Sequence, residues 1–246
     1  MKCFDRSDHR REIEHYKTLI AMGIPTLRMI AYTDCSILLE EIESSAYRLG
    51  TDEDRNDPNI ARLLAAWYKT LHEKGRQYAN THPLHDECDS LTRSNIHKIK
   101  EKTGTSDLPI WQIIEKNFDR IQTAAMRLPR TLTYNDFHYT NFAVARDDSS
   151  VVVFDYTMMG KGYVYSDIRN VCAHLGNENA RTAFLSAYGG FDENEKIIDA
   201  VVSPLTALHI ACQRENFPRW AIGFLDMAKD GRWLTAVTTF LGWRFF

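Results

Sequence analysis

Two short apolar segments joined by a polar turn constrain this chain more than any other feature. Asn141-Phe-Ala-Val-Ala-Arg is followed by Asp-Asp-Ser-Ser and then by Val151-Val-Val-Phe154. Strand-forming residues on either side of a turn-forming cluster read as strand, tight turn, strand. In such a hairpin the residues just before the first strand lie beside those that end the second. Asn141 and Asp155, distant in sequence, are therefore expected side by side.

A second carboxylate shares that neighbourhood. Asp136 stands five residues before Asn141, on a loop entered from the apolar run at Thr131. One carboxylate to orient a hydroxyl, with an amide and another carboxylate to hold metal ions on a nucleotide, is nearly the whole protein requirement of phosphoryl transfer. Mg²⁺ prefers oxygen ligands and takes only one or two of them from protein, so an Asn and an Asp suit it. The spacing of Asp136 and Asn141 alone is weak evidence, because Asp and Asn are common. The competing reading is an ordinary hairpin with polar ends.

The run Tyr134-Asn135-Asp136-Phe137-His138-Tyr139-Thr140-Asn141, with Phe154-Asp155 and Ser166-Asp167-Ile168 after it, resembles the aminoglycoside phosphotransferase and choline kinase-like family. The family's loop reads His-Gly-Asp-Leu-His-Pro-Gly-Asn, its metal aspartate ends the next strand, and a later aspartate begins a helix. The resemblance implies an α+β, protein-kinase-like two-lobed fold: a small, partial β-sheet N-lobe over residues 1–42 and a large, mainly helical C-lobe over 43–246. It further implies Asp136 as catalytic base and Asn141 and Asp155 as metal ligands. Tyr134, His138 and Asp167 would support the loop. The cofactors implied are ATP (or GTP) and Mg²⁺, and the partner is a small molecule bearing a hydroxyl, such as an amino sugar or a choline-like alcohol.

Upstream, Lys2-Cys-Phe and the segment Arg11 to Leu19 resemble the family's strand lysine and following helix, with Lys2 on the nucleotide phosphates and paired to Glu12. Ile13, Tyr16, Leu19 and Ile20 fall at helical spacing. Ser7 or Asp8 is expected to cap this helix, and Gly23 with Pro25 to end it. Leu27–Tyr32 and Ser36–Leu39 read as strands. Ile37 to Ile42 resembles the hinge whose backbone bonds adenine, which implies nucleotide contacts at Glu40 and Ile42.

The chain departs from the family pattern twice. The glycine-rich hairpin that precedes the strand lysine has no room before Met1, so weaker nucleotide binding is expected. Tyr134-Asn135 replaces His-Gly. Asn is the best non-glycine residue for positive φ, and a tyrosine can prop the loop through a different hydrogen bond. These departures motivate an alternative reading, a catalytically impaired kinase-like protein that binds a nucleotide or other ligand.

Composition excludes several classes. A net charge of −3 over 246 residues gives no electrostatic case for nucleic acid or an anionic membrane. Five scattered cysteines with no Cys-x-x-Cys pair argue against zinc and a disulfide framework and for a reducing, cytoplasmic setting. The charged N-terminus is unlike a signal peptide, and no apolar run approaches the ~20 residues of a membrane span. The remainder reads mostly helical: Pro58 to His72 stopped by Gly75, an irregular polar stretch over 78–107, one helix over 108–128, and helices after Asp167. Crowding of His82, His85, Asp86, Glu87, Cys88 and Asp89 reads as a solvated loop rather than a metal site. Glu178, Glu215, Asp226, Asp230, Trp220, Trp233 and Trp243 are candidates to meet a cationic acceptor.

Overall fold

The structure is a computed structural model describing residues 1–6 and 9–243, so the expected caps Ser7 and Asp8 lie outside the described residues. The chain forms two compact units, residues 1–84 with 130–190, and residues 85–129 with 191–246. This division cuts the chain elsewhere than the expected lobe boundary at residue 42.

The first unit begins with an antiparallel sheet in the order β1-β3-β2, made of β1 (Lys2–Cys3), β2 (Met29–Tyr32) and β3 (Ser36–Leu39). Lys2 stands opposite Ile37 in the β1–β3 register. Helix α1 (Arg11–Ala21) follows β1. It buries Ile13, Tyr16 and Leu19 as the periodicity predicts, but Ile20 is exposed. Its place on the inner face is taken by Glu12 and His15, which the apolar pattern cannot reveal because they are buried by polar partners.

The expected hairpin is present. β6 (Phe142–Ala145) pairs with β7 (Val151–Val153), Phe142 opposite Val153, and β4 (Tyr47–Leu49) pairs on the other side of β6. Both strands of the hairpin are buried throughout, which explains their unbroken apolar sequences. Leu27, Ala143 and Val152 form one cluster, flanked by Leu39, Ile42, Tyr47 and Phe154. In the turn, Asp147 Oδ1 accepts from the Ser149 amide (3.1 Å) and hydroxyl (2.6 Å). Asp148 adopts φ 56°, a conformation that Asp tolerates. A two-stranded ribbon, β5 (Thr131–Thr133) with β8 (Gly160–Gly162), leads into the loop that follows β5.

Helix α2 (Pro58–Thr81) opens with Asp57 accepting from the Asn59 amide and Pro58 in the first turn. Gly75 does not stop it. A Cβ at Gly75 would lie 2.7 Å from Leu132 Cβ, so the glycine lets the helix backbone close onto β5. Helix α6 (Val164–His174) follows β8, and α7 (Glu178–Tyr188) packs along α2.

The second unit is helical: α3 (Arg93–Thr103), α4 (Pro109–Lys116), α5 (Phe118–Arg127), α8 (Glu193–Cys212), α9 (Ile222–Lys229) and α10 (Arg232–Gly242). The segment expected to be irregular contains α3, which shows little apolar signal because it turns only Ile96 and Ile99 inward. The single helix expected over 108–128 breaks at Asn117, which adopts a non-helical conformation and caps both halves. Trp233 is fully buried, edge-on to Trp111 at 5.3 Å, with its indole N–H on the Val201 carbonyl (3.1 Å). It is a core residue rather than a cation platform. Asp86 and Asp89 build a capping box on a short 3₁₀ turn over 87–90. No described helix is long and apolar enough to cross a membrane.

Gly75→Val provides a direct check on the α2–β5 contact. Overpacking against Leu132 costs about 1–3 kcal/mol, while leaving glycine recovers only a few tenths for a β-branched residue. The urea midpoint is expected to fall, and an unchanged midpoint would show that the two elements can part without cost.

Candidate active site

All the residues predicted from sequence to act together lie in the first unit, so the arrangement is intrinsic to it. The loop after β5 is fixed by one buried carboxylate. Asp167, in the first turn of α6, accepts from the amides of Tyr134 and Asn135, each at 2.8 Å, and from His72 Nε2 at 3.1 Å. With Nε2–H spent on Asp167, Nδ1 of a neutral His72 accepts from the Tyr188 hydroxyl at 2.8 Å. The Thr131 hydroxyl donates to the His72 carbonyl (2.6 Å), tying β5 to α2. Asn170, one turn further along α6, accepts from the Phe137 amide (3.2 Å).

Asn135 has φ 65°, the left-handed conformation expected where related loops use glycine. The Tyr134 side chain is buried and donates its hydroxyl to the Phe154 carbonyl at 2.7 Å, immediately before Asp155. It thereby ties the loop to the end of β7. His138 Nδ1 contacts the Thr140 hydroxyl at 2.8 Å, within the short 3₁₀ turn that carries Asn141. Burial, then the charges of His174 and Arg55, hold His138 below the usual histidine range.

The hairpin register delivers the remaining groups. The Phe154 amide bonds the Asn141 carbonyl (2.9 Å), setting Asn141 beside Asp155 in the manner the sequence predicts. Asn141 Nδ2 donates to the Asp136 carbonyl (3.1 Å), and its Oδ1 accepts from the Thr140 hydroxyl (3.3 Å). Asp155 has φ 62°, and its half-exposed carboxylate reaches Lys2 Nζ at 2.9 Å. Lys2 also pairs with the fully buried Glu12 at 2.6 Å. Burial pulls the Lys2 ammonium down, but Glu12 and Asp155 outweigh it and hold the group above its ordinary value.

Asp136 is the one carboxylate of this group that makes no hydrogen bond or ion pair among the described residues. Partial burial and then repulsion from Asp155 push it up to about 6, against a smaller opposing pull from Lys2. Such a group accepts a proton readily yet stays ionised at neutral pH. Asp155 and Asn141 offer two neutral-to-anionic oxygens, a donor set that fits a hard divalent ion. No group of three or more His, Cys, Asp or Glu gathers among the described residues, so the other ligands of such an ion would have to come from phosphate and water.

Of the expected hinge residues, Glu40 is tied to Arg28, its carboxylate accepting from the Arg28 amide (2.7 Å) and its own amide donating to the Arg28 carbonyl (2.9 Å). The Ile42 carbonyl closes a turn with Ser45 (3.1 Å), so Ile42 has only its amide to offer a ligand. Three residues escaped the sequence reading. His15 Nδ1 donates to the Tyr156 carbonyl (2.7 Å), and Asn170 and Thr157 hold the loop and the acidic pair. Asn170 lies one helical turn after Asp167 and Thr157 two residues after Asp155, the only signals that could have drawn attention to them.

The sequence profile described as phosphotransferase enzyme family matches residues 7–200. No curated protein matches the chain in sequence. Similar solved structures include an ethanolamine kinase from Plasmodium vivax, with 14% identity, TM-score 0.62 and coverage of 93% of this chain and 75% of that one. A choline/ethanolamine kinase family protein from Mesorhizobium loti gives 14%, 0.61, 94% and 82%. The choline kinase LicA from Streptococcus pneumoniae gives 13%, 0.58, 97% and 85%, and LicA is also similar as a complex with AMP, at TM-score 0.57. At such identities the likeness establishes the fold, which is α+β and kinase-like.

Two outcomes follow from the buried and the raised carboxylate. Asp167→Ala leaves three buried donors unsatisfied, and a loss of about 3 kcal/mol or more is expected in urea unfolding. Asp136 behaves oppositely. A carboxyl raised in the folded state favours the proton there, so its ionised form costs stability above about pH 6, and that cost fades as pH falls towards 4. Asp136→Asn should therefore unfold at higher urea than the parent at pH 7.5, with the gap closing at pH 4. A variant less stable than the parent at neutral pH would contradict this account of Asp136.

Proposed function

This chain belongs to the phosphotransferase enzyme family, and from that premise and the site geometry we propose that it transfers the γ-phosphate of ATP to the hydroxyl of a small molecule. The observation that carries the reading is Asp136: an unpartnered carboxylate on a loop whose backbone is pinned by Asp167, beside the Lys2–Asp155 pair. The acceptor hydroxyl bonds to Asp136 and its oxygen attacks the γ-phosphorus. As the new P–O bond forms, the bond to the β-phosphate oxygen breaks, ADP departs, and Asp136 takes the hydroxyl proton. Asp155 and Asn141 are the residues to hold Mg²⁺, which would supply neutralising charge to the phosphates. Lys2, kept charged by Glu12, contacts the phosphates, and the amide of Ile42 with the backbone at Glu40 meets the base. Division at residue 42 into a nucleotide-binding lobe and a catalytic lobe belongs to this same reading.

Positioning and electrostatic stabilisation carry most of the acceleration, with general-base assistance adding about 10²–10⁴-fold. Similarity to ethanolamine and choline kinases makes small amino alcohols the first acceptors to test, followed by amino sugars.

ADP release with MgATP and a panel of such alcohols is the decisive assay. Turnover is expected to vanish in both Asp136→Ala and Asp155→Ala, and in the parent kcat/KM is expected to decline as pH falls through about 6, where Asp136 protonates. Turnover at the parental rate in either variant would refute the assignment. A thermal shift on adding MgATP, without ADP release for any acceptor, would instead mark a kinase-like binding protein.

A further inference from the structure

Thr157 stands where the three charged groups of the site meet. Its hydroxyl oxygen is 2.6 Å from Glu12 Oε2 and 3.0 Å from Asp155 Oδ1. Lys2 Nζ bonds the same two oxygens, at 2.6 and 2.9 Å. Lys2 donates to both carboxylates, while the one Thr157 proton serves one of them at a time, so the four side chains close a ring of contacts. The Thr157 carbonyl is itself held by Arg11 Nε at 3.2 Å, so the residue is anchored by its backbone.

Glu12 makes this arrangement consequential. It is fully buried, and its other oxygen, Oε1, has no hydrogen-bond partner, so everything that stabilises its charge arrives at Oε2. In the proposed mechanism the Lys2 ammonium is shared between Glu12 and a phosphate, and Asp155 Oδ1 gives up donors when it ligates a cation. A buried carboxylate stripped of its partners is costly. The single Thr157 proton is the donor that can make up for what Glu12 then loses. It can bond Asp155 while the site is empty and turn to Glu12 when a cation takes Asp155.

We propose that Thr157 is a positioning residue for the cation site, aiming Asp155 before the cation binds and keeping Glu12 satisfied once it has bound. The inference rests on the functional reading above. Residues that orient a metal ligand typically change metal affinity 10–100-fold when lost. Valine is the appropriate probe, because it keeps the shape of threonine and removes only the hydroxyl.

The test is Mn²⁺ binding in the presence of ADP, measured by calorimetry or by the loss of the free-ion electron paramagnetic resonance signal, on the full chain. Thr157→Val is expected to raise the Mn²⁺ dissociation constant about 10-fold or more, and Thr157→Ser, which restores the hydroxyl, to return it to within about 2-fold of the parent. If the valine variant does not fold, Thr157→Ala carries the same comparison. Parental Mn²⁺ affinity in a folded hydroxyl-less variant, even one with a lowered melting temperature, would reduce Thr157 to a packing role and leave the functional reading intact. A parent that binds no Mn²⁺ with ADP, by contrast, overturns the site and the role of Thr157 together.

Discussion

The carboxylate of Asp167 is the fixed point of the first unit. It is fully buried and takes hydrogen bonds from two consecutive loop amides and from His72, so α6, α2 and the loop after β5 share one anchor. Backbone amides facing a helix's first-turn carboxylate leave the loop no alternative partner of equal strength, because charge-assisted bonds exceed neutral ones. Every feature downstream inherits that constraint: the left-handed turn at Asn135, the direction of Asp136, and the seating of Asn141.

A second network meets the first at Asp155. Lys2 and Thr157 reach it from β1 and the strand's own continuation, each also bonding Glu12 of α1, while Tyr134 grips the preceding carbonyl. The two networks are built differently. Asp167 is saturated and silent, a structural carboxylate. Asp136 is starved of partners and raised by its neighbours, and the fold tolerates that cost. Unrelieved charge in one place and full satisfaction in another is what separates a group available for chemistry from one that holds it in place.

Much of this was legible in the residues. The hairpin and its turn, the adjacency of Asn141 and Asp155 and the helix carrying Glu12 follow from local pattern, since each depends on neighbours in sequence, while the positive φ of Asn135 is what the family resemblance implies. The errors share a cause as well. Gly75 reads as a terminator until Leu132 is seen against it. Residues 93–103 look irregular because only two side chains of that helix are apolar and inward, and whether Trp233 is a cation face or a core aromatic stays open until Val201 is seen to claim its indole N–H. Each depends on a residue far along the chain.

By itself, then, the amino-acid sequence determined which chemistry this protein carries and the local geometry that presents it: the loop, the hairpin and the family to which they belong. Tertiary structure alone decided which polar groups are buried and which are left wanting. Glu12, His15 and Thr157 gained their roles from groups brought together across more than a hundred residues, and Asp136 its raised proton affinity from burial and from Asp155, where periodicity and spacing have no reach.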